Sequence, residues 1–186
     1  MNVYDFDKTI SFHDSTKKFY FFCIKKKPSL LRFLPMQGYY AIKYALKIMP
    51  KTRFKEKFYR VFSGIPDIDS FVEAFWKENM GEIKDWYRKN RRDDDVVVSA
   101  SPEFLLAPIC KEIGVATLIA SRVDKKTGKY TGENCYGEEK VPRFREIFGD
   151  AEIEEFYSDS YSDTPLAKLA KRAYIVKDEE ISDWVF

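Results

Sequence analysis

One short strand stands alone near the start of this sequence, and its isolation is the strongest constraint on the fold. Val3-Tyr4-Asp5-Phe6-Asp7 begins as a strand and stops abruptly in polar residues; no second strand pattern follows until Val96-Val97-Val98. The stretch between them reads as helix throughout. Asp14 or Ser15 caps a first helix through Lys27, ended by Pro28. A second helical stretch runs from about Ser29 to Met49, with breaks expected at Pro35 and Gly38 and a stop at Pro50. Thr52 to Phe62 is a third, and Ser63-Gly64-Ile65-Pro66 a turn. Asp69-Ser70 opens a fourth helix, and another runs through Arg88.

After Asp93-Asp94-Asp95 the pattern changes. Val96-Val97-Val98 is a continuous β-branched run, short enough for a fully buried strand. A helix over Pro102 to Ile113, a strand over Val115 to Ala120 and a hairpin-like turn at Lys125 to Lys129 follow. Glu138 to Phe148 is helical, Ile153 to Tyr157 a strand, Pro165 to Lys171 a helix and Ala173 to Val176 a last strand. Strands alternating with helices imply an α/β fold, a Rossmann-like parallel sheet with helices on both faces. Its core is discontinuous, residues 1–13 and 93–186, and an all-helical insert occupies residues 14–92.

Cys23, Cys110 and Cys135 are widely spaced with no CxxC pair, which excludes a disulfide framework and a zinc knuckle and points to a reducing compartment. The N-terminus puts carboxylates where a secretion signal would need basic and then apolar residues, so no such signal is expected there. The most apolar long stretch, Leu30 to Met49, is interrupted by Arg32, Pro35, Lys43 and Lys47, so no membrane-spanning helix is expected. The expectation is a soluble, cytoplasmic chain. Charge is uneven: Ser15 to Arg60 carries 13 cations against the single acid Glu56, a local +12 in a chain of net +2. Such asymmetry points to an anionic partner.

In parallel sheets ligands bind beyond the carboxyl ends of the strands. Those positions hold Asp5, Asp7, Lys8 and Thr9 after the first strand, Ser99, Ala100 and Ser101 after the second, and Asp159 and Asp163 after a later one, with Lys140 near a helix start. Three or four converging carboxylates repel one another unless a cation holds them. Hard oxygen donors select Mg²⁺, which commonly takes a substrate phosphate as a ligand. Ser99 and Lys140 beside that ion would complete a phosphate pocket, so the crevice reads as built for phosphoryl transfer.

Asp5-Phe6-Asp7-Lys8-Thr9, Ser99, Lys140 and Asp159-Ser160-Tyr161-Ser162-Asp163 resemble, in order, the four motifs of the haloacid dehalogenase superfamily. The helical insert after the first motif is similar in position to the type-one cap of its phosphoserine-phosphatase-like branch (subfamily IB). The resemblance implies a Mg²⁺-dependent phosphatase. Asp5 would be the nucleophile that takes the phosphoryl group, and Asp7 the acid to the leaving group and then the base to water. Asp5, Asp7 (through its carbonyl), Asp159 and Asp163 would serve the metal. Thr9, Ser99, Ala100 and Lys140 would hold phosphate, and Asp14 corresponds to a carboxylate that contacts substrate. Lys8 departs from the Gly found in many members, and Ser160 and Ser162 replace the commoner Gly and Asn. An acid two residues after the nucleophile favours phosphatase over dehalogenase.

Other features have plainer readings. Asp94 and Asp95 read as solvated linker, His13 as a hinge marker and Cys110 as buried core. The insert's many aromatics, mixed with lysines, read either as a bundle core with a solvated cationic face or as a cap guiding an anionic substrate. That substrate would be a small phosphate ester or a lipid phosphate, with peripheral membrane contact through the basic cap. Nucleic acid is disfavoured by the lack of an RNA-binding motif. A phosphotransferase using the same aspartyl-phosphate and a basic docking module with little turnover are the alternatives. A receiver domain is disfavoured by the long insert.

Overall fold

The computed structural model describes residues 1–186. Six strands form one sheet: β1 (Asn2–Tyr4), β2 (Val96–Pro102), β3 (Thr117–Ser121), β4 (Ile153–Ser158), β5 (Ala170–Lys177) and β6 (Glu180–Asp183). Their spatial order is β3-β2-β1-β4-β5-β6, the first five parallel and β6 antiparallel to β5. The isolated first strand is central. Val3 pairs with Val96 on one side and Phe156 on the other.

Alternation along the strands divides the core between the two sheet faces. Val3, Val96 and Val98 face a cluster with Phe144, Leu166 and Trp184, under α7 (Lys140–Phe148) and α8 (Thr164–Ala167). Tyr4 and Val97 face the opposite way, into a larger cluster. There they meet α6 (Glu103–Glu112) and the helices between β1 and β2: α1 (Ser15–Lys26), α2 (Leu34–Ala45), α3 (Lys51–Tyr59), α4 (Ile68–Glu78) and α5 (Asp85–Asn90). Phe19 of α1 and Phe75 and Trp76 of α4 carry that cluster outward, and the Trp76 indole donates to the Leu105 carbonyl of α6 at 2.6 Å. The insert is therefore packed onto the sheet through one continuous apolar core. No helix is long and apolar enough to cross a membrane.

The two ends of the insert run side by side. Ser11 bridges to Ile83, the Phe12 amide donates to Glu82, and the Lys84 amide donates to Ile10. Beside this join, Glu82 takes both His13 and Lys18 at 2.6 Å. On the far side a hairpin closed by the Val123–Tyr130 bridge clasps the insert. Gly128 at its tip has φ +72°, and an added Cβ would fall 2.5 Å from the Tyr59 backbone. Only glycine permits both that turn and that approach.

Local chemistry explains where the elements depart from the sequence pattern. Pro35 starts α2 instead of breaking it, since its missing N–H is at the first turn, and Gly38 lies inside the helix without interrupting it. α4 is capped by Asp67, whose carboxylate accepts from the Ser70 amide at 3.1 Å, and Asp69 lies within the helix. β2 runs through Ser99 to Pro102, so those residues belong to the strand instead of following it. α8 ends at Ala167, and β5 already starts at Ala170. β6 has no counterpart in the sequence reading. α5 packs Trp86 and Tyr87 against Tyr4 and Tyr157 of the sheet. Asp95 is fully buried, not solvated linker: its carboxylate accepts from the Arg92 amide at 2.9 Å, and its carbonyl accepts from Ala116. The three cysteines are free and buried.

Candidate active site

A cavity of about 530 Å³ opens at the carboxyl ends of β1, β2 and β4. From the sheet side it is walled by Asp5, Asp7, Lys8, Ser99, Ala100, Ser101, Lys140, Asp159 and Asp163. Asp14 and Lys17 of the insert reach it, as do Tyr44, Lys51, Phe54 and Lys55. Of the catalytic, phosphate-binding and metal residues expected from sequence, only Thr9 does not line the cavity. It is fully buried, and its hydroxyl accepts from the Asp159 amide at 2.9 Å, tying the loop after β1 to the loop after β4. Thr9 thus sits behind the wall instead of on it, unlike the other expected phosphate-binding residues.

Asp5 is rigid because its amide still donates to the ladder, to Tyr157 O at 2.8 Å. The Lys140 ammonium, almost wholly buried as the first residue of α7, donates to Asp5 Oδ1 and to Asp163 Oδ2, both at 2.6 Å. Asp163 is further held by the Ser158 hydroxyl at 2.8 Å. Burial opposes charge on Lys140, but the two carboxylates outweigh it and hold the ammonium's pKa above its usual value. Burial pushes the Asp5 carboxyl upward; Lys140 pulls it back, while Asp163 and Asp7 push it further up. One ammonium thus serves two buried carboxylates, and the other Asp5 oxygen has no side-chain donor.

Asp7 lies two residues on, past the turn that leaves β1. Its Oδ1 accepts from the Ser15 amide at the start of α1, at 2.7 Å, and its Oδ2 accepts from the Ser101 hydroxyl. Burial, and then the Asp14 carboxylate, raise its pKa against those two hydrogen bonds. Asp14 caps α1 by accepting from the Lys17 amide at 2.9 Å. Lys8, directly after Asp7, holds φ +59°, a region that favours glycine. Its carbonyl accepts from the buried Lys84 ammonium at 2.7 Å, and Lys84 also donates to the Asp178 carbonyl. The strained turn is therefore pinned from the insert's exit and from the β5–β6 turn together.

Several wall residues were given no role from sequence. Ser101, placed at the strand end from sequence without a role, follows Ser99 by two in an extended strand and so shares its face. Its amide donates to Ser99 Oγ at 3.1 Å. Lys55, on α3, donates to Ala100 O at 3.0 Å and Asn134 Oδ1 at 3.4 Å. Burial, and then the nearby Lys51, depress its pKa to about 8. Among 13 cations in one segment nothing in the sequence marks it out. His13 is not on the cavity wall.

The donor set suits a hard dication held sparsely. No three acidic side chains form a ready-made cage, but Mg²⁺ characteristically takes one or two carboxylates and fills its shell with waters and substrate oxygens. Asp159 faces the cavity with no side chain donating to its carboxylate, and burial together with Asp163 raises its pKa. On the sheet side of the cavity four carboxylates, Asp5, Asp7, Asp159 and Asp163, face two lysines, Lys8 and Lys140, leaving a local excess of negative charge that a cation would relieve.

Parallel strands in this order, with a polar cavity at their carboxyl ends, define a Rossmann-like α/β fold carrying its site at the strand switch point. A sequence profile described as haloacid dehalogenase-like hydrolase matches residues 3–168, and the chain belongs to that family. A protein of Mycobacterium tuberculosis named a probable phosphatase is 38% identical over 93 residues, 46% of this chain and 32% of that protein's length. The chain thus spans about a third of that relative. A histidinol-phosphatase of Neisseria meningitidis is 25% identical over 163 residues, covering 67% of this chain and 73% of the other. In fold, a Bordetella pertussis protein of unknown function superposes with a TM-score of 0.78 at 20% identity, over 93% of this chain and 87% of that one.

Proposed function

We propose that this chain is a Mg²⁺-dependent phosphomonoester hydrolase acting through a covalent phosphoryl group on Asp5. The observation that carries the reading is the buried Asp5–Lys140–Asp163 triad, which orients Asp5 and leaves one of its oxygens without a side-chain donor, beside Asp7 in a single cavity. The names of the mycobacterial and neisserial relatives agree with phosphatase chemistry. The proposed division is a core of residues 1–13 and 93–186 under a helical cap of residues 14–92, with α5 lying on the core side.

In the first step an Asp5 carboxylate oxygen attacks phosphorus while the ester P–O bond breaks, and the departing alkoxide takes a proton from Asp7. In the second step Asp7 removes a proton from water, whose oxygen attacks the phosphorus. The Asp5–phosphoryl bond breaks, returning Asp5 and inorganic phosphate. Ser99, the Ala100 region and Lys140 hold the phosphoryl oxygens, where charge spreads in the transition state. Asp5, Asp159 and the Asp7 carbonyl would hold the ion, with Asp163 behind them; when bound, it supplies positive charge to the phosphoryl oxygens. Asp14 and Lys17 stand where the rest of a substrate would lie. That substrate is a small phosphate ester or a lipid phosphate, and three buried thiols suit a cytoplasmic setting.

The test is phosphate release from a panel of monoesters, lipid phosphates included, in Mg²⁺, with Asp5→Asn and a chelator run alongside. Release by the unaltered chain alone, abolished by the chelator, is the expected result. Alcohol-dependent product formed at the expense of free phosphate would instead indicate a transferase, and no release from any ester would remove the enzymatic reading.

A further inference from the structure

α2 is inside out. Its one buried residue is polar: Gln37 accepts from the Tyr20 hydroxyl at 2.8 Å and donates to the Phe58 carbonyl at 3.1 Å, fastening the helix to the body. The opposite arc, through Leu34, Gly38, Ile42, Ala45 and Leu46 with Tyr39 at its edge, is exposed and contains no charged residue. Ile42 is 62% exposed and Leu46 64%. Leu31 and Ile48 extend the patch at either end. A water-facing helix normally shows the reverse pattern, and contiguous exposed apolar surface rimmed by polar groups marks an interaction site.

We propose that this face docks on an anionic membrane surface. The rim is cationic. Arg32 precedes the helix, Lys43 sits over the Tyr39 ring at 4.7 Å, and Lys47 and Lys51 follow. The only acid between Ser15 and Arg60, Glu56, accepts from the Tyr130 amide. Apolar side chains flanked by lysines and tyrosines suit the headgroup–acyl boundary, where anionic lipids attract the rim and the apolar arc leaves water. A second copy of the chain does not fit this face, since a self-complementary contact would bring two +12 segments together. At 12 residues α2 is about 18 Å long, too short to cross a bilayer, so it would lie in the membrane plane.

The same helix borders the cavity mouth from its other side, the side that carries Gln37. Tyr44 of α2 stacks on Phe54 at 4.8 Å, and both line the cavity with Lys51 and Lys55. Docking through α2 would bring that mouth to within one helix diameter, ~10 Å, of the lipid surface. Turnover of a lipid-borne phosphate there rests on the phosphatase reading; docking itself does not.

The test is co-sedimentation of the full chain with phosphatidylcholine vesicles, with and without phosphatidylglycerol, across a salt series. Binding is expected only to the anionic vesicles, weakening as salt rises. The double variant Ile42→Glu/Leu46→Glu should bind at least ~10-fold more weakly, with unchanged circular dichroism and unchanged phosphate release from a soluble monoester. Equal vesicle binding by the variant, or none by the unaltered chain, would overturn the proposal. So would a stable dimer in light scattering that the double variant dissociates, or RNA binding that leaves the vesicles bare. Vesicle binding without phosphate release from any ester would keep the docking surface and remove the phosphatase reading.

Discussion

The amide of Ser15, the first residue of α1, donates to Asp7 Oδ1 at 2.7 Å, while Ser101 from β2 holds the other oxygen. The proposed acid is therefore set between the insert and the sheet, and its orientation depends on both. Replacing Asp7 by Asn should lower kcat by about 10²- to 10⁴-fold, the usual span for a general acid–base group. Ser101→Ala removes only one tether and should cost about 10-fold in kcat with KM little changed, as expected for a positioning residue. Steady-state kinetics on one monoester checks both.

Lys140 neutralises two buried carboxylates at once. Lys140→Met should destabilise the chain by about 3–5 kcal/mol, because breaking a buried ion pair leaves uncompensated charge. Adding Asp163→Asn should recover part of that loss. Denaturant titration of the single and double variants measures it; equal stability of the two would show that the triad is not coupled.

Lys55 faces the cavity with its pKa depressed to about 8 by burial and then by Lys51. Its ammonium is charged below that pH and loses its proton above it. KM for a phosphate ester should therefore rise as pH passes through about 8. In Lys55→Gln, KM should be high at all pH values and lack this inflection.

Asp95 predicts a pH-dependent stability. Burial raises its carboxyl from 3.8 to about 6. At low pH both folded and unfolded chains are protonated there and burial carries no charge penalty. As pH rises the unfolded chain ionises first, so this contribution to stability falls and is fully lost above about 6. Asp95→Asn, which keeps an acceptor for Arg92, should stabilise the chain by about 2–3 kcal/mol at neutral pH and by little near pH 4. The difference in unfolding free energy between the two chains, followed across that range, isolates the effect.

The parallel strands were legible because buried strands read as apolar runs, and Val3-Tyr4 and Val96-Val97-Val98 are such runs. The residues at their carboxyl ends could then be placed at one edge before any coordinates, and the structure brings Asp5, Asp7, Ser99, Lys140, Asp159 and Asp163 to one wall. β6 escaped notice because all four of its residues are exposed, leaving no alternation to read. Asp95 was misread because an acid in a run of acids looks solvated, and only the packing of β2 against β3 takes it inside. The reversed polarity of α2 was hidden for a similar reason: its apolar residues looked like core, and no local signal says which arc faces the body. Ser15 acts through its amide, which no side-chain pattern reveals.

β1 lies between β2 and β4, so the strand nearest the start of the chain has both of its hydrogen-bonding neighbours far along it. During synthesis Asn2–Tyr4 would leave the ribosome long before Val96 and longer still before Phe156. The helices of the insert can form locally in the meantime, but the sheet's central strand must wait, with its edges open, until β2 and then β4 have been made. The geometry that places Asp5 at the middle of the sheet therefore keeps the site incomplete until β4 has been made.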